Sequence, residues 1–210
     1  MTRVSRLLIM SREIAQAWDR VERWLAENAP GSHRSLRAPA AGPDIDRAGE
    51  YVPVHDDLRF LLTVHDGTEG YEVEGDDEGE VNPAAWLPGG CEWLSSERML
   101  GVPAVALRGV PRPDWAPWAA PGDAETGFGI DGATGQVRRF PDEGAGPVGS
   151  VSPEFRSIAA YLGAVAEALE SGTGPLVTPD HRPGIALGCL LWEDPERVSL
   201  DEAEWRSLHG

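Results

Sequence analysis

From Ile14 the apolar residues Ile14, Trp18, Val21 and Leu25 recur at the period of a helix with one buried face, and Ala17 and Trp24 widen the stripe. Ser11 is placed to cap its first turn, and Pro30-Gly31 ends it near Asn28, opening a polar loop that runs to about Pro43. A second helical pattern begins near Asp44, breaks at Pro53, and resumes with Leu58, Leu61 and Leu62. Asp56 and Asp57 suit the N-terminal turn of that helix, where partial positive charge favours carboxylates. Gly67, in the phrase His65-Asp66-Gly67, supplies the break.

Beyond Gly67 the period shortens to alternating segments punctuated by Gly and Pro, which predicts a sheet. Candidate strands are Tyr71 to Glu74, Ala104 to Val110, Trp115 to Ala119, Thr126 to Ile130 and Gln136 to Phe140, with one or two helical turns over Ser95 to Leu100. The glycine-containing run 131–135 joins the last two strands as a hairpin. Ser152-Pro153 then opens the clearest helix, striped by Phe155, Ile158, Leu162, Val165 and Leu169 and ended by Gly172. Gly184 to Trp192 reads as one further strand, and Ser199 with Glu202 as the capping box of a short closing helix. Helices, then strands, then a helix predict an α+β domain with a largely antiparallel sheet packed against helices. The division read from the chain is a lead segment 1–13, a domain over 14–172 and a C-terminal extension over 173–210.

Charge narrows the function. The chain has 210 residues and a formal net charge of -17, and its eighteen basic residues are all arginine. Such a surface repels phosphates and anionic lipid, so nucleic acid and membranes are disfavoured and a basic protein partner is favoured. No apolar run approaches the roughly 20 residues that span a bilayer. The apolar stretch after Arg6 ends at Ser11 and Arg12, short of a signal peptide, so a cytoplasmic protein is expected. The two cysteines, Cys91 and Cys189, have no second ligand at metal spacing and read as reduced, partly buried thiols.

The densest candidate chemistry is acidic. Asp66, Glu69, Glu72, Glu74, Asp76, Asp77, Glu78 and Glu80 fall within fifteen positions without one basic residue. Their mutual repulsion is relieved by a cation or a basic partner, and charge complementarity speeds association. The bland alternative is a solvated loop; metal binding is disfavoured because the spacing is not that of a calcium loop. Trp18 and Trp24 read as core, whereas Trp86, Trp93, Trp115 and Trp118 lie beside Gly and Pro, where an aromatic either fills a core or anchors a partner. Trp86 and Trp93 are carried forward with the acidic residues as partner-binding candidates. Gly127 to Gly132 matches a dinucleotide fingerprint by letter, but a strand follows where a helix is required. His55 with Asp56 and Asp57, and His65 with Asp66, are neighbours in sequence, an arrangement that rarely has relay geometry. No hydrolase elbow, zinc pair or phosphate loop occurs, and no enzyme activity, cofactor or metal is expected.

Several phrases in order resemble the SUKH superfamily, which includes Smi/Knr-like cell-wall-assembly regulators and bacterial immunity proteins. They are the helix Trp18 to Leu25, the stretch Val52 to Arg59 running into Leu61-Leu62 and His65-Asp66-Gly67, and the turn Leu87-Pro88-Gly89 with Leu94-Ser95. Trp115 to Trp118, Phe128 through Val137 and the helix Phe155 to Leu169 continue the likeness over residues 14–172. The segment from Tyr71 to Val81 departs from it in being more acidic and glycine-rich, and the tail beyond Gly172 is not required by the family core. The resemblance implies an α+β scaffold that binds other proteins: an immunity protein blocking a toxin domain or, as the alternative, a regulatory scaffold in cell-wall or developmental physiology.

Overall fold

The apolar stripe from Ile14 to Leu25 lies on a helix twice as long as its pattern. In the computed structural model, which describes residues 3–71, 73, 81–106, 114–122, 126–140, 155–193 and 205–209, α1 runs over Arg3–Asn28. Ser11 is therefore inside the helix and not its cap, and the lead segment expected over 1–13 continues the same helix from Arg3. Ile14, Ala17, Trp18, Val21 and Leu25 are buried as the period predicts, and Trp24 is half-buried against the core. Three shorter helices follow: α2 (Pro30–Arg34), α3 (Gly42–Gly49) and α4 (Asp56–Val64). The polar loop expected before Pro43 thus contains one helical turn. His55 caps α4, its Nδ1 accepting the Asp57 N–H at 3.2 Å.

A four-stranded antiparallel sheet comes next, in the order β1 (Glu92–Trp93), β2 (Trp115–Ala120), β3 (Gly127–Asp131) and β4 (Val137–Phe140). A bulge between Pro117 and Ala119 shifts the β2/β3 register, and the β3/β4 hairpin turns through Asp131, whose carboxylate accepts the N–H groups of Ala133 and Thr134. The strand expected over Ala104 to Val110 is not formed. Residues 104–106 close helix α5 (Arg98–Ala106), which starts where the Ser95 hydroxyl accepts the Arg98 N–H at 3.2 Å and which buries Met99 and Val102 one turn apart. Residues 107–110 lie outside the described residues. Tyr71 and Val73 are not in a strand either, and Glu72 and Glu74 lie outside the described residues.

Helix α6 (Ile158–Ser171) is capped by Ser157, whose hydroxyl accepts the Ala160 N–H at 3.1 Å, and ends at Gly172 with φ +69. The expected start at Ser152-Pro153 is corrected: Phe155 precedes the helix and pairs with Val137 as a β-bridge. Helix α1 packs along α6, joined at the surface by a two-pronged Arg20–Glu170 ion pair. Beneath α6 lies the sheet, with Tyr161 ringed by Trp118, Phe128 and Phe155 at 5.1 to 5.3 Å between centroids.

The C-terminal part differs most from expectation. Gly184 to Trp192 is not one strand but a hairpin of β5 (Arg182–Ala186) and β6 (Cys189–Glu193), turning at Leu187 and Gly188, both with positive φ. Positive φ at both central residues is the geometry of the twist-matched two-residue turn. Strand β7 (Trp205–Ser207) adds to β5 in the antiparallel order β6-β5-β7. The capping box at Ser199 and Glu202 lies outside the described residues. This second sheet is bound into the core: Trp192 donates from Nε1 to the Trp86 carbonyl at 2.9 Å, Leu190 N–H donates to Ser32 Oγ at 2.9 Å, and His209 Nε2 donates to the Leu169 carbonyl at 3.0 Å. Helices packed on antiparallel sheets make the chain mixed α and β, in keeping with the α+β class. No helix among the described residues is long and apolar enough to cross a membrane.

Two measurements check this architecture. Gly67 sits at φ +75, and a Cβ there would lie within 2.7 Å of the backbone of Trp93, Leu94 and Ser95, whereas Gly89 at φ +81 has open space around it. Gly67→Ala is expected to cost about 3 kcal/mol or more, strain plus clash, and Gly89→Ala about 1 kcal/mol from the left-handed backbone alone, in denaturant melts. His181 stacks on Trp192, and its Nε2 accepts the Gly89 N–H at 3.1 Å. Burial, with Arg139 assisting, lowers its pKa from the ordinary value of 6.5. Because the unfolded chain then protonates first, this stabilisation is present above the ordinary imidazole range and is lost as pH falls through it. Stability is expected to fall between about pH 7 and pH 5 by more than in His181→Gln.

Candidate functional site

The acidic segment enters the fold through a short two-stranded clasp. Leu36 and Thr68 form an antiparallel bridge. Around it Arg37 N–H donates to the Gly67 carbonyl (3.0 Å), Asp66 N–H to that of Ala38 (3.1 Å) and Glu69 N–H to that of Ser35 (2.8 Å). The positive φ of Gly67 turns the chain so that Thr68 lies against β1, its N–H on the Trp93 carbonyl at 2.8 Å. The two acidic candidates within this clasp are already engaged. Asp66 accepts the Ser96 N–H at 2.7 Å and the Ser96 hydroxyl at 3.2 Å, while Glu69 pairs with Arg37 at 3.6 Å. Asp66 is thus a structural capping carboxylate, and Glu69 is exposed.

The segment's far end returns to the same neighbourhood. Tyr71 donates its hydroxyl to the Gly31 carbonyl at 2.8 Å beneath the Arg34 guanidinium. Val73 and Val81 both pack on a small cluster with Ala186 and Cys189, so the described residues on either side of 74–80 meet at one place. Asn82 follows at once, donating from Nδ2 to Glu92 Oε1 at 2.8 Å, and the other Glu92 oxygen is held by Arg98. Glu72, Glu74, Asp76, Asp77, Glu78 and Glu80 lie outside the described residues.

The aromatic candidates are placed elsewhere. Trp86 is fully buried and Trp93 is 1% exposed, so neither offers surface to a partner. Both belong to one aromatic group with Trp18, at 6.1 and 5.2 Å between centroids. The Gly and Pro residues around them mark tight turns that fold over the core, which from sequence resembles a turn presenting a side chain outward. Trp118 is likewise core and Trp115 half-buried, with Arg138 over its ring.

His65 does not stand with the acid beside it in sequence, and the His55 ring serves as the cap of α4 on the Asp57 N–H. His65, the C-cap of α4, turns its ring toward Glu22 on α1, with Nε2 to Oε1 at 3.0 Å, and Nδ1 reaches the Arg37 carbonyl at 2.8 Å. This histidine-carboxylate pair is separated by 43 positions and leaves no local trace in the sequence. A relay needs one ring nitrogen free to face a nucleophile, and here both are taken. Asp57 is 3% exposed, and burial raises its carboxyl above the ordinary value against the pull of His55. Both cysteines are free and buried, their thiols pushed up by burial to about 12 (Cys91) and about 11 (Cys189), which leaves them unreactive near neutral pH.

A cleft of about 330 Å³ opens between the end of α6 and the second sheet, lined by Gly172, Thr178, Arg182, Ser207 and His209 among others. Two of its polar groups are already engaged, Ser207 Oγ donating to the His209 carbonyl and the His209 ring to Leu169. Among the described residues no group of three or more His, Cys, Asp and Glu could hold a metal ion. No family model matches this chain, and no curated protein matches it.

If Asp66 serves the clasp and Glu69 the surface, the two separate on substitution. Asp66→Ala is expected to cost about 1 to 2 kcal/mol, the range for losing a capping carboxylate, and Glu69→Ala less than about 0.5 kcal/mol, both by denaturant melts.

Proposed function

We propose that the chain is a non-enzymatic protein-binding domain that occupies and blocks a basic partner domain, in the manner of an immunity protein against a toxin. The carrying observation is the concentration of eight carboxylates between Asp66 and Glu80 in a stretch without a basic residue. Its support is the frame: Val73 and Val81, which flank residues 74–80, pack on one small cluster with Ala186 and Cys189. Opposite charge across an interface raises the rate of encounter and selects the partner, while the net charge of -17 repels nucleic acid and anionic lipid. The order of phrases resembling the SUKH superfamily agrees with this reading and with a cytoplasmic location. In this mechanism no bond is made or broken; inhibition comes from covering the partner's active cleft.

Trp86 and Trp93 carry no part of the proposed face, because both are buried. The interface is read as acidic, with Glu69 and the carboxylates from Glu72 to Glu80 as its members. The regulatory-scaffold alternative shares this face and differs in the partner.

Pull-down from the native host identifies the partner, and stopped-flow mixing then measures association. Changing Asp76, Asp77 and Glu78 together to Ser is expected to slow association about tenfold at low salt, with the difference shrinking as salt rises. An unchanged association rate removes the acidic segment from the interface.

A further inference from the structure

The ring of His65 reaches two groups that only accept hydrogen bonds. Its Nδ1 lies 2.8 Å from the Arg37 carbonyl oxygen and its Nε2 lies 3.0 Å from Glu22 Oε1. A neutral imidazole has one N–H, and neither a carbonyl nor a carboxylate supplies another. Both bonds form together only when one additional proton sits between His65 and Glu22. We propose that this junction is a proton-dependent latch, which ties helix α1 to the clasp at the entry of the acidic segment and releases one of its bonds when that proton leaves.

The surroundings fit a latch. The His65 and Glu22 side chains are 18% and 33% exposed, so solvent reaches the pair without replacing it. Trp18 and Trp93 stand edge-on to the ring at 5.6 and 6.4 Å and fix its plane. Among the described residues, Glu22 is the charged side chain within hydrogen-bond reach of the ring; on the neighbouring elements Arg20 pairs with Glu170, Arg23 with Asp19 and Arg37 with Glu69, and Asp66 accepts from Ser96. Glu22 is the one of these whose contact depends on the ring's second proton. The Arg37 carbonyl belongs to the stretch 35–38, whose carbonyls receive the Asp66 and Glu69 amides. Loosening the His65 ring therefore loosens the base of the acidic segment. The latch is closed while the ring and Glu22 share that proton and open once it has left. Its consequence for a basic partner rests on the proposed function; the latch itself is tested on the free protein, so either can fail alone.

Glu22→Gln separates the latch from ordinary packing. The glutamine amide donates to Nε2 of a neutral ring whose Nδ1–H stays on the Arg37 carbonyl, so the bond survives and its proton dependence disappears. Amide hydrogen exchange at Asp66 and Glu69, corrected for intrinsic rates, is measured from about pH 5 to 8. Wild type is expected to lose about tenfold in protection across the range, as for one lost hydrogen bond, and Glu22→Gln to stay level. Identical profiles in the two proteins overturn the latch. Should the variant not fold, ring-nitrogen NMR of wild type decides: His65 must pass from two N–H groups to one across the range, and a ring with the same proton count throughout overturns the proposal.

Discussion

Helix α6 must be covered on almost every side, and the rest of the fold is arranged to do it. Of its side chains, Ile158, Tyr161, Leu162, Ala164, Val165, Ala166, Ala168 and Leu169 are buried, and only Glu167, Glu170 and Ser171 are exposed. A stripe that wide cannot be satisfied by one neighbour. Helix α1 takes one flank and the four-stranded sheet the other, where Tyr161 sits in a nest of three aromatic rings. The last exposed end is its C-terminus, where orphan carbonyls need donors. Gly172 turns the chain away with φ +69, and His209 supplies the donor to Leu169. The strands after Gly172 thus complete the cover of α6.

The parts legible in the sequence are those in which local pattern and tertiary demand coincide. The stripe of α1, the breaks at Pro30 and Gly67, and the β3/β4 hairpin all follow from residues close together in the chain. Where they diverge, the pattern misleads. Ser152-Pro153 has the better helix signature, yet Phe155 is taken by the bridge to Val137, and Ser157 caps instead. The turn between β5 and β6 is hidden because Leu187, at φ 50, occupies a position that usually carries Asn or Gly. Ala104 reads as the start of a strand, but residues 104–106 close α5, which buries Met99 and Val102 one turn apart. The site was legible as a concentration of charge and illegible as a geometry, since the partners of Asp66 and His65 lie far from them in sequence.

Polar groups in the core are treated unequally, and the inequality has a physical sense. Trp192 finds the Trp86 carbonyl for its indole N–H, whereas the indole N–H groups of Trp18, Trp86, Trp93 and Trp118 meet no partner among the described residues. Each unsatisfied donor costs about 1 to 3 kcal/mol, against burial of about 150 to 250 Å² per aromatic side chain at roughly 25 cal/mol per Å². Area outweighs the orphaned donor. A carboxylate has no comparable apolar area to offset its desolvation, so Asp66 is met by Ser96 and Glu92 by Asn82 and Arg98, whereas burial of Asp57 raises its carboxyl pKa.

That rule bears on the acidic segment. Eight carboxylates within fifteen positions raise the free energy of any compact arrangement, and a fold that depended on them for its own contacts would weaken as their repulsion grew. The described anchors avoid that dependence. Thr68, Tyr71 and Asn82 hold through neutral donors, and Val73 and Val81 through apolar contact. The acids that do enter the clasp are neutralised in place, Asp66 by a backbone and a hydroxyl donor and Glu69 by Arg37. The described anchors on either side of the segment therefore hold through neutral donors and apolar contact and not through its own carboxylates. A basic partner of the proposed kind would relieve that repulsion without competing for the contacts of Thr68, Tyr71, Val73, Val81 and Asn82.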